Sequence, residues 1–136
     1  MERRDFLKAG CALCGLALIP AGLLESCKKQ SFSGPTNVNF TIDLSNAANA
    51  ALKNVGGYLV QNSVIVIHAS TGYIALSDVC THQGCAVNYD PSSTHLICPC
   101  HGGTYDLTGA VLSGPPPDAL NKYTVTQTGT ILTIKS

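Results

Sequence analysis

The stretch SVIVIHASTGYIALSDVCTHQGC occupies residues 63–85 and changes character midway. From Ser63 to Ala69 it is a run of β-branched and apolar residues. A second apolar run covers Tyr73 to Ser77, with Thr71 and Gly72 between the two as in a tight turn. Two antiparallel strands joined as a hairpin are the reading this pattern supports. The end of the stretch is different, because Cys80, His82 and Cys85 are separated by small and polar residues. Thirteen residues on, CPCHGG, from Cys98 to Gly103, again offers a cysteine and a histidine at close spacing, with one cysteine to spare.

The β signal continues on either side. Val38 to Leu44 alternates apolar with polar residues, and short strands are expected at Ala86 to Tyr89, His95 to Cys98, Tyr123 to Thr128 and Thr130 to Lys135, the last two turning at Gly129. Only Asn46 to Asn54 has helix-like content. Residues 38–136 therefore read as one all-β domain, a small antiparallel β-sandwich or partial barrel with a limited core, of the kind that often depends on a staple or a metal. His68 and His95 fall on strands away from both Cys-and-His segments and read as surface histidines.

The chain has 136 residues, a formal net charge of zero and 12% charged residues. That length holds one domain and a leader but no second catalytic domain. There is no basic stripe of the kind nucleic acid requires, so nucleic acid is not an expected partner. Beyond Cys27 the chain contains no Arg and no Glu, only Lys28, Lys29, Lys53, Lys122 and Lys135 against Asp43, Asp78, Asp90, Asp106 and Asp118. Long-range steering by net charge is weak in such a molecule.

Residues 1–27 are of another kind. Arg3 and Arg4 precede Phe6, Leu7 and Lys8, and an uncharged apolar stretch of 16 residues follows from Ala9 to Leu24. This order resembles a twin-arginine export signal, a route that carries folded proteins. The stretch is shorter than the roughly 20 residues of a comfortable membrane span, and Gly10, Gly15, Pro20 and Gly22 interrupt it. LLESC, ending at Cys27, resembles a lipoprotein-processing site, with Glu25 as a departure from that pattern. Lipidation at Cys27 and retention as a signal anchor both leave the protein attached to a membrane. Cys11 and Cys14 read as small apolar residues of the leader. Residues 28–37, polar and containing Gly34 and Pro35, are expected to form a flexible tether.

Thiolate and imidazole suit zinc or iron rather than calcium or magnesium. Zinc fingers usually open on Cys-x-x-Cys and close on paired histidines. Here one cysteine alternates with one histidine on each of two loops, Cys80-x-His82 and Cys98-x-x-His101, which favours iron and sulfur. CTHQGC and CPCHGG, followed by GPPP from Gly114 to Pro117, resemble the Rieske [2Fe-2S] family, with the likeness covering roughly Tyr58 to Ser136.

The resemblance implies one [2Fe-2S] cluster, with Cys80 and Cys98 on the inner iron and His82 and His101 on the outer, more exposed one. It also implies a Cys85 to Cys100 disulfide that pins the two loops, two free buried thiols being the alternative; such bonds persist in exported proteins. A third loop bearing Pro115 and Pro116 covers the cluster in that family, and the residue matching Tyr105 donates to the sulfur of the one matching Cys80. Gly84, Gly102 and Gly103 are expected to bring backbone N–H groups close to cluster sulfurs. Gly103 stands where high-potential relatives carry a serine whose hydroxyl donates to a bridging sulfide. The expectation is therefore a potential in the middle or lower part of the Rieske range, raised by Gly103→Ser. Gln83 departs from the leucine common beside the exposed histidine of quinol-oxidising relatives.

In function, the resemblance implies an electron carrier that is not a catalyst on its own. The expected setting is a bacterial cell envelope, with the cluster domain on the periplasmic, exported side of a membrane. Electrons would pass from a quinol-oxidising, cytochrome b-like subunit to a cytochrome-type acceptor. The near alternative is the small Rieske subunit of an exported molybdenum oxidase similar to arsenite oxidase. A structural zinc-binding β module, closing a tetrahedral site with the same four residues, is the alternative from another class. The soluble ferredoxin of an aromatic-ring dioxygenase shares the four ligands but ordinarily lacks the extra cysteine pair and the leader.

Overall fold

The computed structural model describes residues 32–136, so the leader and Cys27 lie outside the described residues. The strands are β1 (Asn39–Asp43), β2 (Tyr58–Gln61), β3 (Val64–Ala69), β4 (Gly72–Ser77), β5 (Asn88–Asp90), β6 (His95–Ile97), β7 (Thr104–Tyr105), β8 (Val111–Ser113), β9 (Lys122–Thr128) and β10 (Ile131–Lys135). The hairpin read from the sequence is β3 and β4, with Ala69 opposite Gly72 and Val64 opposite Ser77, so that Ser70 and Thr71 make the turn. Val64, Ile65, Val66 and Ile67 are all fully buried. Both faces of β3 are covered, which is why its run is continuously apolar rather than alternating.

Val64 and Val66 pack into one core with Ile42, Leu52, Leu132 and Ile134. Ile65 and Ile67 pack into the other with Leu76, Val87, Leu96 and Tyr105. Burying each such aliphatic side chain contributes about 1.5–3 kcal/mol, so β3 is the strand that joins the two halves of the molecule.

Two antiparallel sheets result. The larger has six strands in the order β1-β10-β9-β4-β3-β2, and the smaller has the order β5-β6-β7-β8. In the larger sheet β4 lies directly beside β9, through Ala75 with Tyr123 and Leu76 with Lys122. The smaller sheet is therefore an insertion between two neighbouring strands of the frame, and Ser77 N–H donates to Asn121 O at 2.8 Å where the insertion leaves and returns. Both Cys-and-His loops lie on this insertion, which rests on the Ile65, Ile67 and Leu76 face of the frame.

The all-β class and the expected strands stand, with differences that have physical causes. β2 was not expected: its turn to β3 uses Asn62 and Ser63, both with positive φ (53° and 59°), which is the conformation of a type I′ hairpin turn without the usual glycine. β7 and β8 are two and three residues long, too short for a periodicity to show. The helix-like segment is a 3-10 helix, Ala47–Lys53, capped by the Asn46 side chain accepting from Ala48 N–H. His68 is half-buried rather than a surface residue, with Nδ1 2.8 Å from Leu52 O and its ring stacked on Tyr73.

The described part of the expected tether, residues 32–37, is not free of the body. Phe32 N–H donates to Thr81 O at 3.1 Å, the Tyr123 hydroxyl donates to Pro35 O at 2.7 Å, and Gly34 sits against the Ser77 side chain too closely for any Cβ. From Phe32 onward the chain is bound to the body, beside the loop that carries Cys80.

Candidate metal centre

Three loops of the insertion meet at one end of the molecule: residues 80–85 after β4, residues 98–103 between β6 and β7, and residues 114–121 between β8 and β9. The first two are one backbone turn used twice. Cys80 N–H donates to Cys85 O and Gly84 N–H to Cys80 O, both at 2.8 Å; Cys98 N–H donates to Gly103 O at 2.7 Å and Gly102 N–H to Cys98 O at 2.9 Å. The fifth residue of each turn is glycine in the left-handed region, Gly84 at φ 76° and Gly102 at φ 72°, where a Cβ is disfavoured. These two N–H groups close the turns on the cysteine carbonyls.

The turns set the side chains. Cys80 and Cys98, first in each, are buried and are the free cysteines among the described residues. Cys85 and Cys100 form a disulfide, S–S 2.01 Å, that joins the first loop to the second. The sulfurs of Cys85, Cys98 and Cys100 lie within 4.8 Å of one another, and with two of them bonded together only Cys98 of the three can ligate a metal. His82 is half-buried and His101 exposed, and their rings meet edge-on with centroids 4.8 Å apart. His82 Nδ1 is the one buried side-chain N or O among the described residues without a hydrogen-bond partner. A buried polar atom left in that state is costly. Two free buried thiols and an orphaned imidazole nitrogen are the donor set a metal centre would complete.

Tyr105, on β7, is fully buried beneath the first loop. Its Oη lies 3.3 Å from Cys80 Sγ and accepts from Thr81 N–H at 3.1 Å. Thr81 Oγ1 in turn donates to Asp118 O at 2.7 Å, tying the third loop to the first. Burial raises the Cys80 thiol, but Tyr105 and the backbone N–H groups of His82 and Gln83 outweigh it and hold the thiol below its ordinary value. Cys98 is pushed up by burial and by the Cys80 sulfur beside it. Burial and the Cys80 sulfur push the Tyr105 hydroxyl up to about 12, so it stays protonated and can donate to that sulfur.

Residues 41–124 match the Rieske [2Fe-2S] domain family. The chain belongs to that family. It is 30% identical over 127 residues to the cytochrome b6-f complex iron-sulfur subunit of Chlorobaculum tepidum, covering 91% of this chain and 70% of that one. With the corresponding subunit of Chlorobaculum thiosulfatiphilum it shares 44% over 63 residues, which is 46% of this chain and 35% of the relative; the match thus spans about a third of that relative's length. The solved cyanobacterial plasma membrane Rieske protein from Synechocystis PCC 6803 superposes with a TM-score of 0.58 at 31% identity, covering 70% of this chain and 99% of that one.

This is a Rieske electron-transfer protein related to cytochrome b6-f iron-sulfur subunits, and the family's cofactor is one [2Fe-2S] cluster. The donors present in the Rieske site suit it, since thiolates and neutral imidazoles are the ligands of that cluster type. Two participants escaped the sequence reading: Thr81 is a buried bracket between Tyr105 and the third loop, and Phe32 packs on Gly84. Thr81 was legible as part of CTHQGC, whereas Phe32 is a tertiary contact with no local signal. Pro116, expected on the third loop, lays its ring on Gly103.

Proposed function

We propose that Cys80 and Cys98 hold the inner iron of the cluster and His82 and His101 the outer iron, with His82 ligating through Nδ1. We further propose that the protein is a membrane-attached subunit passing single electrons from a quinol-oxidising, cytochrome b-like partner to a cytochrome-type acceptor on the exported side of a bacterial envelope. The observation that carries the ligand assignment is the orphaned, buried Nδ1 of His82, in a loop whose Cys80 thiol is free and buried. The partner reading is supported by likeness to cytochrome b6-f subunits. Among the described residues no helix is long and apolar enough to cross a membrane, so attachment rests on the leader.

When bound, the cluster takes up and returns one electron, at roughly −150 to +300 mV rather than the about −400 mV of all-cysteine ferredoxins. The chain's own residues do the rest. Tyr105 steadies Cys80 by its hydroxyl, the disulfide keeps the two ligand loops in register, and the third loop keeps water from the Cys98 side. His101 is the exposed ligand, so its remaining ring nitrogen can hold or release a proton where a partner docks. Charged residues are missing from the first two loops, residues 80–85 and 98–103, and the third, residues 114–121, carries Asp118 as its one charge, so docking at this end is governed mainly by shape and apolar contact.

The test is mild-detergent purification of the full chain from membranes of its host. A b-type haem spectrum in the purified material, with the Rieske centre reduced on adding quinol, is expected. Recovery from the soluble fraction, or reduction only through a molybdenum enzyme, contradicts the partner reading.

A further inference from the structure

The third loop meets the second through a contact that has no side chain on one side. β7 and β8 pair Thr104 with Ser113, and the two hydroxyls are hydrogen-bonded. One residue beyond that pair, Gly103 and Gly114 come so close that a Cβ on Gly114 would lie 2.6 Å from Gly103 Cα. The chain then turns back and lays the ring of Pro116 over Gly103. A Cβ on Gly103 would lie 2.5 Å from Pro116 Cγ and 2.8 Å from its Cδ, and 3.9 Å from Cys98 Cβ. Carbon atoms at rest against each other stand about 3.5–4.0 Å apart, so no side chain fits at 103 while Pro116 stays in place.

Gly103 differs here from Gly84 and Gly102. It is not among the positive-φ residues, so its backbone does not require glycine; the space above it does. Pro116 is buried while Pro115 and Pro117 on either side are exposed. A prolyl ring cannot swing aside as a flexible side chain can. Its loop is held at one end by the β7–β8 pair and at the other by Thr81 Oγ1 on Asp118 O.

We propose that Gly103 and Pro116 are a keyed pair: the prolyl ring fills the volume of a side chain at 103, seats the third loop against Cys98, and denies that position a hydroxyl. Pro116 is thereby a positioning residue for the metal centre. The proposal rests on the reading of Cys98 as a ligand for its redox consequence, though not for its packing consequence. It also revises the expectation for Gly103→Ser, because the serine has no room unless the ring is removed.

The test is a cycle of four full-length proteins: wild type, Gly103→Ser, Pro116→Ala and the double variant. Thermal midpoint, cluster loss to a chelator and reduction midpoint are measured on each. Gly103→Ser alone is expected to lower the thermal midpoint, speed cluster loss and leave the reduction midpoint at or below wild type. In the double variant the serine is accommodated, so its thermal midpoint rises above that of Gly103→Ser and its reduction midpoint rises above wild type. Additive thermal effects, or a Gly103→Ser protein as stable as wild type, overturn the pair. If Gly103→Ser does not fold, a folded double variant supports the proposal and an unfolded one overturns it. A wild-type protein without a Rieske signal defeats the ligand reading instead, while the thermal cycle still judges the packing.

Discussion

The first and second ligand loops share a backbone and differ in what they carry on it. In each, a cysteine N–H reaches the carbonyl five residues on, and a left-handed glycine closes the turn on the cysteine carbonyl. At the sixth position the first loop has Cys85, bonded across to Cys100 of the second, and the second has Gly103, cleared for Pro116 of the third. Equivalent positions thus join neighbouring loops by opposite means, a covalent bond in one case and a missing side chain in the other. Histidine stands third in the first loop and fourth in the second, and it is half-buried in one and exposed in the other. A shared turn fixes where the cysteines go, and the offset of the histidines decides which loop a partner meets.

The comparison is broken most severely at the disulfide. Cys85→Ala with Cys100→Ala removes the tie across a sequence separation of 15, and closing a loop of that length is worth about 3 kcal/mol. Chemical denaturation should show a loss of that order, with faster release of iron; an unchanged midpoint would mean that the loops hold register without the bond. Tyr105→Phe comes next, because Tyr105 supports the first-loop cysteine. It leaves the buried Thr81 N–H without its partner, a cost of about 1–3 kcal/mol. Losing a hydrogen bond to the Cys80 sulfur that is worth about 1 kcal/mol more in the reduced state lowers the reduction midpoint by about 40 mV at 59 mV per tenfold. Redox titration reads this directly, and a midpoint that holds still removes Tyr105 from the tuning of the site.

Gly84→Ala and Gly102→Ala each place a Cβ in the left-handed region and should cost about 1–2 kcal/mol by denaturant unfolding. The first should cost more, since its Cβ meets the Phe32 ring at 3.1 Å while nothing lies within 4 Å of the second. Equal losses would show that Phe32 gives way freely. The smallest effect is at Asp106, just past the second loop. Hydrogen bonds from Thr108 and from Ala110 N–H hold its carboxyl below the ordinary value despite slight burial. A folded pKa below the unfolded one stabilises the protein above the unfolded value, about 3.9, and this is lost as pH falls through the folded value. Asp106→Asn should therefore cost no more than about 1 kcal/mol at neutral pH, with the two stability curves converging in acid.

Side chains that act through spacing along the chain were legible in the sequence. Cys80, His82, Cys98 and His101 stand in two short motifs, and the surplus of Cys85 and Cys100 implied a bond that is present. The continuous run of β3 was legible as a strand of a hairpin, and the structure adds that both its faces are buried. What stayed hidden depends on contacts between distant segments. Phe32 is held by a loop nearly 50 residues away, and the need for glycine at 103 arises only because Pro116 lies on it, while β7 and β8 are too short to show a period. At Gly84 and Gly102 the motif showed that the backbone is special, but not that their N–H groups take the cysteine carbonyls.

The proposed ligand set is mixed, one cysteine and one histidine from each of two matching loops. Its most direct test is EPR with nitrogen-coupling spectroscopy on the full chain, titrated from oxidised to reduced. A rhombic Rieske signal is expected on reduction, with couplings from two imidazole nitrogens, one of which disappears in His101→Cys while an altered signal remains or the cluster is lost. A colourless, EPR-silent protein holding one zinc, or a reduced cluster without nitrogen coupling, would contradict it.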